Sequence, residues 1–309
     1  MTTSSTTAFN LDLNDLVEEA FERCGKELRT GYDLRTARRS LNLLTIEWAN
    51  RGINLWTIEQ GQIPININAG QITYPLPLGT IDLLDQVIRT GEGQNQVDIN
   101  ISRISESTYS TIPTKNAYGR PIQVWIDRQS GETNAIPTTT LNGGISATDT
   151  TINVVSSGSL ATQGYIYVGS ELISYQNVSG NQLLNCNRGQ GGTTAAAHLT
   201  GAQVTVTRPP NINIWPTGNP GQQYTFVYWR LRRMQDAGTG VTTQDIPFRF
   251  IPALVAGLAY HLSIKLPEVD PQRVVGLKAV YEEVFAQAAD EDREKASMRI
   301  VPRNMFYYR

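Results

Sequence analysis

Two stretches, IQVWIDR (122–128) and NINIWP (211–216), decide how this chain is read. In both, apolar residues recur at every second position: Ile122, Val124 and Ile126 in the first, Ile212 and Ile214 in the second. That is the period of a strand with one buried face. The two would pair well as neighbours in one β-domain, yet residues 138–207 lie between them. The intervening segment differs in composition, being rich in Thr, Ser and Gly with almost no Lys or Arg. Within it TINVV, GYIYVG, ELISYQ, QLLNC and QVTVT read as short strands separated by glycine turns. It is read as a small all-β module inserted in a surface loop, where extra chain length costs little entropy.

The same period of two extends outward from this pair. Ile63, Ile65 and Ile67 alternate with polar residues, and QITYPLP, DQVIR, VDINI and QYTFVYWRLR are further strand candidates. Beyond the strands the period changes to that of a helix. Leu13, Leu16, Val17, Ala20, Phe21 and Cys24 make one stripe of a helix over about 12–26, which ends at Gly25. A second helix is expected after Asp33 as N-cap, with Leu34, Ala37, Leu41, Leu44 and Trp48 inward and Gly52 as its stop. The two are expected to form an antiparallel pair. RFIPALVAGLAYHLSIKL is apolar nearly all round and therefore reads as a buried helix. Asp270 followed by Pro271 starts a last helix, expected to reach Ala296, with Val274, Leu277, Tyr281, Val284, Phe285 and Ala288 on one stripe. The fold class is α+β: N- and C-terminal helices in a bundle, an antiparallel β-domain, and the inserted all-β domain. The expected division is a core of 1–137 with 208–296, a module at 138–207, and an extended C-terminal arm at 297–309.

Composition narrows the function. The 309 residues are 40% hydrophobic, enough to build a core. The 26 basic and 28 acidic residues nearly cancel, which disfavours a globally basic DNA-coating protein. MTTSSTTAFN has no apolar run and does not read as a signal peptide, and no segment reads as a membrane span. Cys24 and Cys186 give neither a disulfide framework nor metal-ligand spacing, so a reduced compartment, no metal and no cofactor are expected.

A search for chemistry returns little. His261, on the apolar helix, reads as a satisfied core histidine, and His198 as a surface or turn residue; neither belongs to a recognisable triad. RGQGGTT (188–194) resembles a phosphate loop but lacks the Gly-Lys-Ser/Thr ending. Glu282, Glu283, Asp290, Glu291, Asp292 and Glu294 read as a solvated or inter-subunit helix face, not as a glycosidase pair. Basic residues cluster twice. Arg35, Arg38 and Arg39 line one side of the second helix, and Arg230, Arg232 and Arg233 sit at a strand end. Each group is either a salt-bridged face or a contact with DNA or with an acidic neighbouring subunit. Neither has base-reading geometry, so a DNA contact would be non-specific.

The order of segments is what carries a resemblance. DLVEEAFERCGKELRTGYDLRTARRSLNLLTIEWANRGINLWTIE opens the chain; GRPIQVWIDRQ and NINIWPTGNPGQQYTFVYWRLRRMQDAG follow; DIPFRFIPALVAGLAYHLSIKLP and LKAVYEEVFAQAADEDREKASMRIVPR close it. This resembles the head-to-tail adaptors of tailed phages: the tail accessory factors, or packaged-DNA stabilisation proteins, of short-tailed phages, and more distantly tail tubular protein A. The likeness covers most of 10–137 and 208–305. The inserted segment, through VGSELISY and RGQGGTTAAAH, is similar to small β modules inside many phage structural proteins.

The resemblance implies a non-enzymatic virion protein at the head–tail interface, present in the host cytoplasm during assembly. It implies a ring, expected to be a dodecamer, bound under the portal protein. Such a ring extends the DNA channel, helps retain packaged DNA through non-specific contact, and carries downstream tail proteins such as a nozzle or fibres. On this view Arg299, Ile300, Pro302, Arg303, Met305, Phe306, Tyr307, Tyr308 and Arg309 form an aromatic, basic arm that docks on the portal or a neighbouring subunit. The alternatives are a tail-associated glycan-binding decoration protein, using Tyr165, Tyr167 and Tyr175 as exposed aromatics, and a cell-wall hydrolase.

Overall fold

A computed structural model describes residues 9, 11–29, 31–51, 55–65, 70–91, 93–128, 138–238 and 241–292. In chain order they form α1 (Leu13–Cys24), α2 (Gly31–Asn50), β1 (Ile58–Ile65), β2 (Thr73–Pro75), β3 (Thr80–Thr90), β4 (Val97–Asn100), β5 (Ser102–Arg103), α3 (Glu106–Ser110) and β6 (Gln123–Asp127). Then come β7 (Thr139–Thr140), β8 (Ile152–Asn153), β9 (Gly164–Val168), β10 (Glu171–Tyr175), β11 (Asn177–Ser179), β12 (Gln182–Leu184), β13 (Asn187–Gln190) and β14 (Gln203–Thr207). The chain continues with β15 (Asn211–Trp215), β16 (Tyr224–Arg232), α4 (Ile251–Ser263) and α5 (Pro271–Glu291). The protein is thus a mixed α+β fold. It divides into two compact units, Met1–Thr57 with Met234–Arg309, and Ile58–Arg233. Among the described residues no helix is long and apolar enough to cross a membrane.

The first unit is helical. Asp12 caps α1, its carboxylate accepting from the Asp15 N–H at 2.9 Å, and Gly25 ends it in the left-handed conformation at φ 76°. The six residues of the expected α1 stripe are all buried. α2 begins earlier than expected, so Asp33 lies in its first turn instead of at the cap; an acid there still complements the helix dipole. α1 and α2 touch each other at few points, and both pack mainly on α4. The reason is the composition of α4, which is apolar on every side and therefore takes the centre of the bundle. Gly257 allows the close approach, since a Cβ there would meet Tyr281 at 2.8 Å and Leu44 at 2.9 Å. α5 starts at the expected cap, with the Asp270 carboxylate accepting from the Gln272 N–H at 2.9 Å. Of its stripe, Tyr281, Phe285 and Ala288 are buried, while Val274, Leu277 and Val284 are only partly covered. Trp48, Phe250 and Phe285 interlock at the centre, with Trp48 ring centroids 5.5 Å from Phe250 and 5.3 Å from Phe285.

The second unit holds the strands. One sheet runs β1-β16-β3-β4 and another β2-β15-β6-β5. β6 and β15 are antiparallel neighbours with Ile126 opposite Ile212 and Val124 opposite Ile214, the pairing expected from the opening stretches. The two sheets share one apolar cluster that includes Ile65, Ile88, Val124, Ile212, Ile214 and Phe226. The short parallel strand β5 and helix α3 were not foreseen, being too brief to carry a period. Residues from β7 to β14 form two further sheets, β13-β10-β9-β14-β7 and β11-β12-β8, around a separate cluster that includes Ile152, Ile166, Val168, Ile173, Leu183 and Val204. Gly191, at φ 60°, lies where this segment meets the first β-cluster; a Cβ would come within 2.9 Å of Leu172 and 3.3 Å of the Leu76 carbonyl.

Candidate functional site

The basic side of α2 is a solvent-facing surface. Leu41, Leu44 and Trp48 turn inward, so the opposite face carries Arg35 and Arg39, both exposed and without an ion-pair partner among the described residues. Arg38 is more committed, its Nε donating to the Ala237 carbonyl at 3.1 Å. The same outer side exposes three large apolar residues: Tyr32 at 69%, Leu43 at 57% and Ile46 at 58%. Arg39, Tyr32 and Leu43 border a shallow cavity of about 360 Å³ with Leu262, Lys265 and Leu266. A face both greasy and cationic stays exposed at a cost unless something covers it.

The second basic cluster is spent inside its own sheet. Arg230 and Arg232 project from β16 toward Glu59 on the paired strand β1. Their guanidinium groups grip one carboxylate at 2.7 and 2.6 Å, and Arg230 also donates to the Thr80 hydroxyl at 3.0 Å. Burial by itself raises the Glu59 carboxyl, but the hydrogen bonds and charge of the two arginines hold it below its ordinary value. Arg233 is exposed, its backbone N–H donating to the Gly79 carbonyl at 2.7 Å. Of this trio, only Arg233 is exposed. The proposed arm, Arg299 to Arg309, lies outside the described residues.

His261 is satisfied as expected but lies at the edge of the core, and His198 differs from expectation. His261 is partly exposed, its Nε2 lying 3.2 Å from Glu47. Its helix is central, yet residue 261 faces the edge where Glu47, Arg51 and Glu282 gather. There Arg51 binds Glu282 through both Nη atoms at 2.9 and 3.0 Å and Glu47 at 2.5 Å. Trp48 donates to the Tyr281 hydroxyl at 2.9 Å, and that hydroxyl donates to Glu47 at 3.2 Å. His198, expected at the surface, is 14% exposed and sits 2.7 Å from Glu171, itself 1% exposed. Glu171 is saturated. Arg188 reaches both of its oxygens at 2.8 and 2.7 Å, and the Gly189 and Ala196 N–H groups donate at 3.0 and 3.2 Å. The RGQGG loop therefore does hold an anion, the carboxylate of its own neighbouring strand.

These contacts bear on catalysis. The Arg51 hydrogen bonds hold the Glu282 carboxyl below its ordinary value, the opposite of what a general acid needs. Asp292 is 3% exposed and paired with Arg249. Asp82 is taken by Arg103 and Arg128 at 2.8 and 2.7 Å. Of the three tyrosines expected to be exposed, Tyr175 is buried in the module core, while Tyr165 and Tyr167, which alternate with the core residues Ile166 and Val168, are partly buried on the other face of the strand. Burial pushes the Tyr165 phenol up to about 12. Both cysteines are buried free thiols, likewise pushed up by burial to about 11, out of range for nucleophilic work near neutrality.

One further surface has a distinct character. Phe9, Leu11, Ile251, Pro252 and Val255 line a groove of about 490 Å³ together with Asp15, Glu18, Glu19 and Glu22 of α1 and with Arg23, whose Nε donates to Glu19 at 2.8 Å. No local pattern announces this groove, because Ile251, Pro252 and Val255 come from the opposite end of the chain to the acids of α1. Set against known protein families and against curated proteins, the chain matches none.

Proposed function

We propose that this protein is a structural head-to-tail adaptor of a tailed bacteriophage, a ring-forming subunit that binds under the portal, extends the DNA channel and carries the next tail component. The observation that supports this reading best is the outer face of α2, where exposed Tyr32, Leu43 and Ile46 accompany Arg35 and Arg39, neither with an ion-pair partner among the described residues. Apolar area next to cations is the chemistry of a protein interface, and an arginine left over at its edge can meet DNA without reading sequence. Arg233 is a further exposed cation. The glycan-binding and hydrolase readings have less behind them, since Tyr175 is internal and Glu282, Asp292 and Asp82 are held by arginines.

The arm of residues 297–309 supplies the partner contact in this reading. Its three arginines and three consecutive aromatics suit a greasy groove with an acidic rim, on the portal or on a neighbouring subunit. The α1 groove described above has that chemistry. Co-sedimentation with portal rings tests the role of the arm. A chain ending at Ala296 is expected to lose portal binding while keeping its fold; unchanged affinity would remove the arm from the account.

A further inference from the structure

The exposed face of α2 has a counterpart on α5. Helices usually turn apolar and small residues inward, yet the outer side of α5 carries Val275 at 70% exposure, Val280 at 46%, and exposed Gly276, Ala279 and Ala286. Gly276 is the most telling. A glycine inside a helix is destabilising relative to alanine, and nothing lies within 4 Å of where its Cβ would be. No contact among the described residues of its own chain requires a missing side chain there. The same face is acidic toward its C-terminal half, where Glu283 and Asp290 are exposed. Glu283 has no cation partner among the described residues, only a 3.5 Å contact with Gln287.

The two faces match in order as well as in kind. Along α2, after Tyr32 at the start of the helix, the basic residues Arg35 and Arg39 come first and the apolar Leu43 and Ile46 follow. Along α5 Val275, Gly276, Ala279 and Val280 come first, and the acids Glu283 and Asp290 follow with Ala286 between them. The outward positions Tyr32, Arg39, Leu43 and Ile46 are spaced by seven, four and three, and Gly276, Ala279, Glu283, Ala286 and Asp290 by three and four. Laid antiparallel, Ile46 meets Gly276, Leu43 meets Ala279, and Arg39 meets Glu283, all in one register. Laid parallel in the register that keeps Arg39 on Glu283, Ile46 would fall on Asp290 and Tyr32 on Gly276, so an apolar side chain would cover an acid. Within one chain the pairing is closed off, because α2 and α5 already meet through other residues, Trp48 with Tyr281 and Arg51 with Glu282.

We infer that α2 of one copy docks antiparallel on the outer face of α5 of the next copy, with Arg39 against Glu283 and Leu43 and Ile46 over the small residues of α5. This contact is heterologous, since each copy gives one face and receives on the other. Contacts of that kind propagate head to tail and close into a ring where the rotation allows. The inference rests on the ring reading of the preceding section and names the surfaces that would build it. Gly276 and Ala279 let the helix axes approach, and the large side chains of α2 fill the space.

The test uses the full chain and measures assembly by mass photometry, alone and on portal rings. Arg39→Glu and Glu283→Arg are each expected to raise the concentration for half-assembly by ~10-fold or more through like-charge opposition. The double variant, with the pair reversed, is expected to recover assembly. Gly276→Gln adds bulk where the single chain has open space, so it should leave the circular-dichroism melt unchanged or raised and still block assembly. Wild-type rings together with unaffected single variants would overturn the α2–α5 contact and leave the ring reading standing. Wild type that never assembles, even on portal, would overturn both. Loss in Arg39→Glu without recovery in the double variant would overturn the pairing and assign the α2 face to DNA or another protein.

Discussion

Arg188 and Arg51 each hold a carboxylate with two nitrogens, but the two clusters sit in opposite surroundings. The Arg188–Glu171 pair is sealed, with side chains 6% and 1% exposed, and every oxygen of the carboxylate is satisfied. The Arg51–Glu282 pair lies at the rim of the helical unit, 29% and 47% exposed, with the guanidinium 4.6 Å above the Phe285 ring. In the first case the ions are structural members of a small all-β core that has few other polar anchors. In the second they edge an apolar core that stands without them. Burial turns the same bond from a surface detail into a requirement, because removing one sealed partner strands the other charge in a medium that cannot solvate it.

The sharpest way to break this comparison is Glu171→Ala. It leaves Arg188 without its counter-charge, and a loss of about 3–5 kcal/mol is expected, read from urea unfolding. A loss no larger than that of Arg51→Ala would contradict the contrast. In the helical unit, where the core is apolar, the comparable effect should come from packing. Trp48→Ala is expected to cost about 3–5 kcal/mol through the cavity left beside Phe250 and Phe285.

Acid should separate the clusters next. Burial alone raises the Glu171 carboxyl, but hydrogen bonds from Arg188, His198, Ala196 and Gly189 more than offset this and hold it below its ordinary value. A depressed folded pKa gives stability that is complete above the unfolded value of about 4.3 and is lost as pH falls through the folded one. Denaturation midpoints should therefore fall below that pH in the wild type, with a flatter acid limb in Glu171→Gln. Smaller effects come from the rim. Arg51→Ala is expected to cost about 1 kcal/mol, from a half-exposed ion pair and a cation–π contact. Least of all, Arg39→Ala should change stability by less than about 0.5 kcal/mol, as exposed surface substitutions do.

How much of this was legible in the sequence follows from the range of each interaction. The α1 stripe and the β6–β15 pairing could be read because burial repeats with the period of the element, and one end of each pattern predicts the other. Short elements such as β5 and α3 have no room for a period. The central place of α4 was implicit in its uniform apolarity, yet the expectation of a close α1–α2 pair followed from chain order, which tertiary packing overrode. The Glu59 clamp and the Glu171 cluster join residues far apart in sequence, and no local pattern announces such a meeting. A signal did exist for the second: Arg188 is the sole basic residue, besides His198, in a segment with only two acids, Asp149 and Glu171. The facing charges and apolar residues of α2 and α5 were individually visible, but their exposure was not, since it depends on which side each helix gives to α4.

The adaptor account is most directly tested by mass photometry of the purified full-length protein, alone and mixed with portal rings from the same virus. The account predicts that the portal peak gains about one chain per portal subunit. A portal peak of unchanged mass, with both proteins intact, would contradict it.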